Sequence, residues 1–200
     1  MSLLAGSKRL GGLHIAAALR QDFEQLLSKF ILGTDLSFGH FKVLWKTENF
    51  ATIHHGKTEK IGYKAFVQLA YEAILLLVQN DLTEEHELVT STPRLQLIVE
   101  SATRKNVWNI GVMYCLYTFY KTQLASHQEP GPTPIHIGPE SAVSLSLAVR
   151  RLSTLAECGR TAVSMYQTML KADAFRYCAY TGPTSLYYCQ KAGKKAIGQT

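Results

Sequence analysis

One stretch constrains the fold more than any other: Arg104–Leu124, RKNVWNIGVMYCLYTFYKTQL. Between Val107 and Tyr120 only Asn109 and Thr118 are plainly polar, and five aromatics (Trp108, Tyr114, Tyr117, Phe119, Tyr120) crowd the segment. At a period of 3.6, Trp108, Val112, Cys115 and Phe119 form one stripe, and Ile110, Tyr114, Tyr117 and Lys121 form another. A helix that is apolar on most of its circumference must be covered by neighbours on several sides, so this is the central helix of a larger packing unit. A bilayer span needs roughly 17–25 apolar residues, and the tyrosine hydroxyls would sit in hydrocarbon, so the segment predicts a core and not a membrane.

The rest of the chain supplies that cover. Leu19, Phe23, Leu26, Leu27 and Phe30 keep helical spacing and place an amphipathic helix over about 13–32, ended at Gly33. Ser37 is an N-cap for a helix whose Phe38, Phe41, Leu44 and Trp45 share one face, with Lys42 and Lys46 pointing away. Asn49–Ile53 reads as a short helical turn or link. A further helix over Tyr63–Val78 turns Phe66, Leu69, Ala70, Ala73, Ile74 and Leu77 inward, and Thr92-Pro93 marks a helix start that leads toward the central helix. After Leu124, SHQEPGPTPIHIGPE holds four of the six prolines and cannot continue a helix. Pro139 opens a helix lined by Leu145, Ala148, Val149, Leu152 and Leu155, and one over about Thr161–Lys171 uses Val163, Tyr166, Met169 and Leu170. AFRYCAYTGPTSLYYC is compatible with an extended or a helical state. No strand pair is evident, and hairpin signals such as Asn-Gly are absent.

The expectation is an all-α fold: one helical domain over residues 1–180, with about six to eight helices in an antiparallel stack around the helix at about 104–124. Residues 79–93 are an acidic loop insertion carrying Asp81, Glu84, Glu85 and Glu87, residues 125–139 a Pro-rich loop, and residues 181–200 a basic C-terminal tail. The net charge of +6 favours encounter with acidic partners, nucleic acid included. The four cysteines (115, 158, 178, 189) form no CxxC pair and predict free thiols in a reducing compartment. The N-terminal apolar run is too short and glycine-broken for a signal peptide, which points to an intracellular chain.

Chemistry is hard to find. Gly11-Gly12 lacks the Lys-Ser/Thr of a phosphate-binding loop. His54-His55 are adjacent, so on a helix they point about 100° apart and chelate poorly; they read as an exposed link. No cysteine is framed by a histidine, and Glu84, Glu85 and Glu87 read as a solvated loop. The residues ask for no cofactor, no metal and no catalytic group. Tyrosine and tryptophan are enriched at interfaces, so the aromatic residues double as candidates for a groove that accepts another helix.

Several runs taken in order resemble a known family. Asp22–Phe30 (DFEQLLSKF) and Leu36–Gly56 (LSFGHFKVLWKTENFATIHHG) carry Phe41, Leu44, Trp45, Phe50, Ile53 and Gly56 at matching positions. The central helix carries Gly111, Tyr114, Leu116, Tyr117, Tyr120, Thr122, Gln123 and Leu124, and Ala174-Phe175-Arg176-Tyr177 comes after the Pro-rich link. Over about residues 20–180 the chain resembles subunit one of the small nuclear RNA-activating protein complex. Two departures stand out: the acidic segment Gln79–Thr92 replaces a short link, and the charged C-terminal extension usual in the family is shorter here.

The resemblance implies a non-catalytic scaffold subunit of a nuclear complex. That complex binds the proximal sequence element of small nuclear RNA genes and supports transcription by RNA polymerases II and III. Its implied partners are the Myb-repeat and zinc-containing subunits, the TATA-binding protein, and promoter DNA mainly through the complex, with no membrane. On this reading Phe41, Trp45, Phe50, Tyr114, Tyr117 and Phe175 form the partner-binding groove. Arg104, Lys105, Arg150, Arg151, Arg176, Lys191, Lys194 and Lys195 contact DNA phosphate. The alternative is a helical protein-interaction adaptor with no nucleic-acid role. A third reading, an enzyme with an aromatic-lined pocket, requires titratable groups converging on a closed cavity.

Overall fold

A computed structural model describes residues 13–55, 61–79, 101–124, 131–155 and 157–179. Among them are six α-helices, one 3-10 helix and two three-residue strands. In chain order these are α1 (Leu13–Leu32), α2 (Phe38–Thr47), the 3-10 helix (Phe50–His55), α3 (Tyr63–Gln79), α4 (Ser101–Lys121), β1 (Ile135–Ile137), α5 (Pro139–Leu152), α6 (Glu157–Lys171) and β2 (Phe175–Tyr177). The fold is all-α. The acidic insertion at 79–93, beyond Gln79 itself, the helix start at Thr92-Pro93 and the tail at 181–200 lie outside the described residues.

Helix α4 packs against each of the other five α-helices. From Val107 to Tyr120 every residue is buried except Tyr117, which is half-buried. All-round apolarity therefore predicts all-round cover correctly. Gly111 makes the closest crossing possible: a Cβ built there meets Leu27 Cδ2 of α1 at 2.7 Å and the Phe30 ring at 3.1 Å. The Trp108 indole N–H, buried at the start of this core, donates to the Leu77 carbonyl of α3 at 3.3 Å, which removes the cost of an orphaned donor.

Local signals fix α1 and α2 as expected. Ser37 caps α2: its Oγ accepts from the His40 N–H at 3.2 Å, and Asp35 accepts from both the Ser37 N–H and its hydroxyl at 2.8 Å. Helix α6 starts at Glu157, four residues before the expected Thr161, because Gly159 lets the helix begin against the end of α5. A Cβ at Gly159 stands 2.5 Å from the Leu152 carbonyl oxygen.

Two features depart from the sequence reading. Helix α3 is not one-sided: from Phe66 to Val78 only Leu76 is exposed, and Gln68, Tyr71 and Glu72 are buried with the apolar face. The cover on its second side is a strand that the Pro-rich loop contains. β1 pairs in parallel with β2, Ile135 opposite Phe175, His136 opposite Arg176 and Ile137 opposite Tyr177. The expectation of no strand pair was wrong, and the choice left open for AFRYC resolves as extended. In a strand, alternate backbone groups face opposite edges. Ile135 N–H and the Ile137 carbonyl bond Ala174 and Cys178, so the His136 backbone turns the other way. There the Gln68 amide meets it twice, accepting from His136 N–H at 3.3 Å and donating to its carbonyl at 3.1 Å. Gln123 does the same three residues earlier, just before β1, accepting from Thr133 N–H at 2.7 Å and donating to its carbonyl at 3.2 Å. Gln68 thus stands in for a neighbouring strand, and Gln123 anchors the chain that leads into β1.

Candidate partner and phosphate surfaces

The six aromatic positions expected to form a partner groove divide into two groups. Phe41, Trp45 and Tyr114 are fully buried, with Trp45 at 3% exposure. Phe41 packs edge-on against Phe30 of α1 at 5.5 Å and lies 5.6 Å from Tyr114 of α4. These three join α1, α2 and α4, so they are withdrawn as docking surface. The spacing that marked them as one apolar face is the spacing of a core face. Truncating Trp45 to alanine would test the core, at a cost of about 3–5 kcal/mol, and not a contact with a partner.

Phe50, Tyr117 and Phe175 are half-buried and reach the surface. Phe50 lies on Phe23 at 5.5 Å and Trp45 at 5.1 Å. Tyr117 stands 5.9 Å from the Phe38 ring, with the Lys121 ammonium 5.9 Å above its own ring, while Lys42 sits 5.3 Å over Phe38. The result is a short aromatic row flanked by cations, an arrangement favourable by cation–π attraction. On its other side Tyr117 lines a shallow cleft of about 430 Å³ along α6 with Arg160, Thr161, Ser164 and Met165. Phe175 packs on Tyr166 at 5.6 Å, and no ring contact joins it to the row.

Tyr114 does more than fill space. Its hydroxyl lies 3.4 Å from both the Leu36 carbonyl and the Cys158 carbonyl, linking the turn before α2 to the start of α6. Burial pushes its phenol well above the ordinary tyrosine range, so it stays a neutral donor.

The basic candidates occupy three separate elements. Arg104 and Lys105 are half-buried near the start of α4, Arg150 and Arg151 are exposed in the last turn of α5, and Arg176 is exposed on β2. Among the described residues the ion pairs are Arg20–Glu24 and Lys29–Glu48, so no described carboxylate pairs with Arg150, Arg151 or Arg176. Lys191, Lys194 and Lys195 lie outside the described residues.

His54 is corrected outright. It is not part of an exposed link but is buried at 2% exposure, while His55 is exposed. The hydrogen bonds around it run in one direction. Leu124 N–H donates to the Tyr63 oxygen at 2.8 Å, the Tyr63 hydroxyl donates to His54 Nδ1 at 3.2 Å, His54 Nε2–H donates to Thr122 Oγ1 at 3.2 Å, and Thr122 donates to the Thr118 carbonyl at 2.8 Å. The ring stacks on Phe119 at 4.6 Å. Burial, with a smaller contribution from His55, pushes the imidazole pKa down to about 4, so the neutral ring clasps the 3-10 helix to the end of α4. Adjacent histidines carry no sequence signal for this, but a polar Thr122 one turn after Thr118 at the end of an apolar helix is such a signal in retrospect. Among the described residues no three His, Cys, Asp or Glu side chains are placed to hold a metal ion, and no helix is long and apolar enough to cross a membrane.

The site is therefore that of an all-α protein built on one aromatic core, whose surface combines a cation-flanked aromatic row with separated arginines. The model of one family, described as small nuclear RNA activating complex (SNAPc), subunit 1, matches residues 19–198. The chain belongs to that family. No curated protein matches it significantly.

Proposed function

We propose that this chain is a non-catalytic scaffold subunit of the nuclear complex that binds the proximal sequence element of small nuclear RNA gene promoters and supports transcription by RNA polymerases II and III. The observation that carries the reading is the family match, which spans nearly the whole chain and includes the α1, α2 and α4 residues that form its core. The Myb-repeat and zinc-containing subunits, with the TATA-binding protein, are its partners. Tyr117, with Phe50 and Phe175, supplies contact surface, and the buried Phe41, Trp45 and Tyr114 hold that surface in place. Arg104, Lys105, Arg150, Arg151, Arg176, Lys191, Lys194 and Lys195 approach promoter phosphate. Phosphate contacts position a protein without reading sequence, so the isolated chain binds no promoter selectively.

The experiment is affinity purification of the tagged full chain from whole-cell extract, with the co-purifying proteins identified by mass spectrometry. Recovery of a Myb-repeat subunit and a zinc-containing subunit in stoichiometric amount supports the reading. Recovery of cytoplasmic proteins alone overturns it in favour of a helical adaptor without a nucleic-acid role. Tyr117→Ser then asks whether the aromatic row matters: assembly undiminished in a folded variant removes Tyr117 from the contact surface.

A further inference from the structure

Helix α5 carries an outer face that the described residues leave open. Val143 and Leu147 are 60% and 48% exposed, and among the described residues they are the one pair of exposed large apolar side chains at i, i+4 on a single helix. Glu140, Val143, Leu147 and Arg150 follow i, i+3, i+7, i+10, which places all four within about 80° of one another around the axis. The inward face is separate: Leu145, Ala148 and Leu152 are buried in the core. The open face therefore reads, from N-terminus to C-terminus, acid, apolar, apolar, base. Glu140 and Arg150 are both exposed, and neither pairs with a described residue of opposite charge.

That order is its own complement when reversed. Val143 and Leu147 share a midpoint with Glu140 and Arg150, at position 145. A two-fold axis crossing the helix there sets Val143 against Leu147 of a second copy and, at the same time, Glu140 against its Arg150. Each contact occurs twice, as an isologous interface requires. Antiparallel alignment also opposes the two helix dipoles, and each carboxylate already sits in a first turn and each guanidinium in a last turn, where the dipoles favour them. From this self-complementarity of charge and shape we infer that α5 is the contact of a reversible homodimer, with a second copy of this chain as the occupant of its outer face.

The contact is small. One face of a helix about 21 Å long falls below the roughly 1,200 Å² of total buried surface typical of stable complexes. The association is accordingly weak, rising with concentration and falling with salt. The inference does not rest on the promoter-complex reading, and the two share one residue: Arg150, open to phosphate in a monomer, faces Glu140 of the second copy in the dimer. Arg151, about 100° further round the helix from Arg150, stays outside the contact and available to phosphate.

The test is sedimentation of the full chain across a wide concentration range. The wild type is expected to show a monomer–dimer equilibrium. Glu140→Lys and Arg150→Glu each set like charges against each other twice and weaken dimerisation by about tenfold or more. An equimolar mixture of the two single variants restores it, because every cross-contact again joins opposite charges. Leu147→Asp, on a surface position that the fold does not need, abolishes it. A monomer up to the solubility limit overturns the inference. So does a dimer indifferent to the reversals, or a mixture that fails to recover. Co-purification with other subunits does not bear on any of these outcomes, so a failure here leaves the functional proposal standing.

Discussion

Single residues decide how closely this bundle closes. At Gly159 the obstacle to a side chain is backbone: Leu152 O at 2.5 Å and Leu155 Cβ at 2.6 Å. Alanine gains about 1 kcal/mol of helix propensity over glycine, but forcing the α5–α6 turn apart costs more, since overpacking typically costs about 1–3 kcal/mol and a carbonyl cannot rotate away. Gly159→Ala is expected to destabilise by up to about 2 kcal/mol net in urea denaturation. Gly39→Ala, whose nearest obstacle is Ser37 Oγ at 3.5 Å, is expected to be neutral or stabilising. Equal effects of the two would refute the packing argument.

His54 gives a second residue-scale expectation, this time in pH. Its folded pKa of about 4 lies below the ordinary histidine value of 6.5. Between those values the unfolded chain binds a proton that the folded chain refuses. Stability from this group is therefore fully present above about pH 6.5 and declines as pH falls toward 4, by on the order of 3 kcal/mol in total. The urea midpoints of wild type and His54→Gln, followed from pH 7.5 to 4, should converge as the pH drops. Parallel curves would mean that His54 is not held neutral. The adjacent histidines themselves gave no sign of it, and the polar Thr122 after Thr118 was the one local hint, because the partners Tyr63 and Thr122 stand 9 and 68 residues away.

Elements were legible where their signal is local. The i, i+3, i+4 spacing placed α1, Ser37 announced the start of α2, and proline opened α5. β1 and β2 were illegible for the opposite reason. Each has three residues, too few to show alternation, and β1 lies among prolines. The partners that make it a strand are Gln68 and β2, 68 and 40 residues distant. Three of the six groove positions were misread on a similar point. Phe41, Trp45 and Tyr114 do share a face, but periodicity cannot say whether a face meets the chain's own core or another molecule. Gln68→Leu preserves much of the volume and removes both hydrogen bonds to His136. It is expected to cost about 1–3 kcal/mol for the stranded backbone groups, with faster amide exchange at His136 and unchanged protection in α4. Exchange at His136 as slow as in the wild type would dismiss the glutamine as an anchor.

The whole molecule pairs a buried aromatic centre with a basic exterior. A net charge of +6 and separated arginines on α5 and β2 predict duplex DNA binding that is weak, indifferent to sequence and steeply salt-dependent. Replacing Arg150, Arg151 and Arg176 by alanine together should lower the slope of log K against log salt by about 0.9 for each phosphate no longer neutralised. An unchanged slope would place the phosphate contacts elsewhere, and a strong preference for one promoter sequence would contradict the scaffold role.

The glutamine that bonds β1 has a further consequence for how this protein behaves in a crowded solution. An exposed strand edge is a template on which other chains can grow, and proteins usually blunt such edges with charge, proline or brevity. Here one edge of β1 is occupied by β2 and the other by a side chain that offers the same donor and acceptor as a strand but cannot be extended. Among the described strands, only the outer edge of β2 is left to recruit another chain, and it is three residues long with Arg176 exposed beside it. Gln68 thus terminates the sheet, and its loss would expose a growth site as well as weaken a fold.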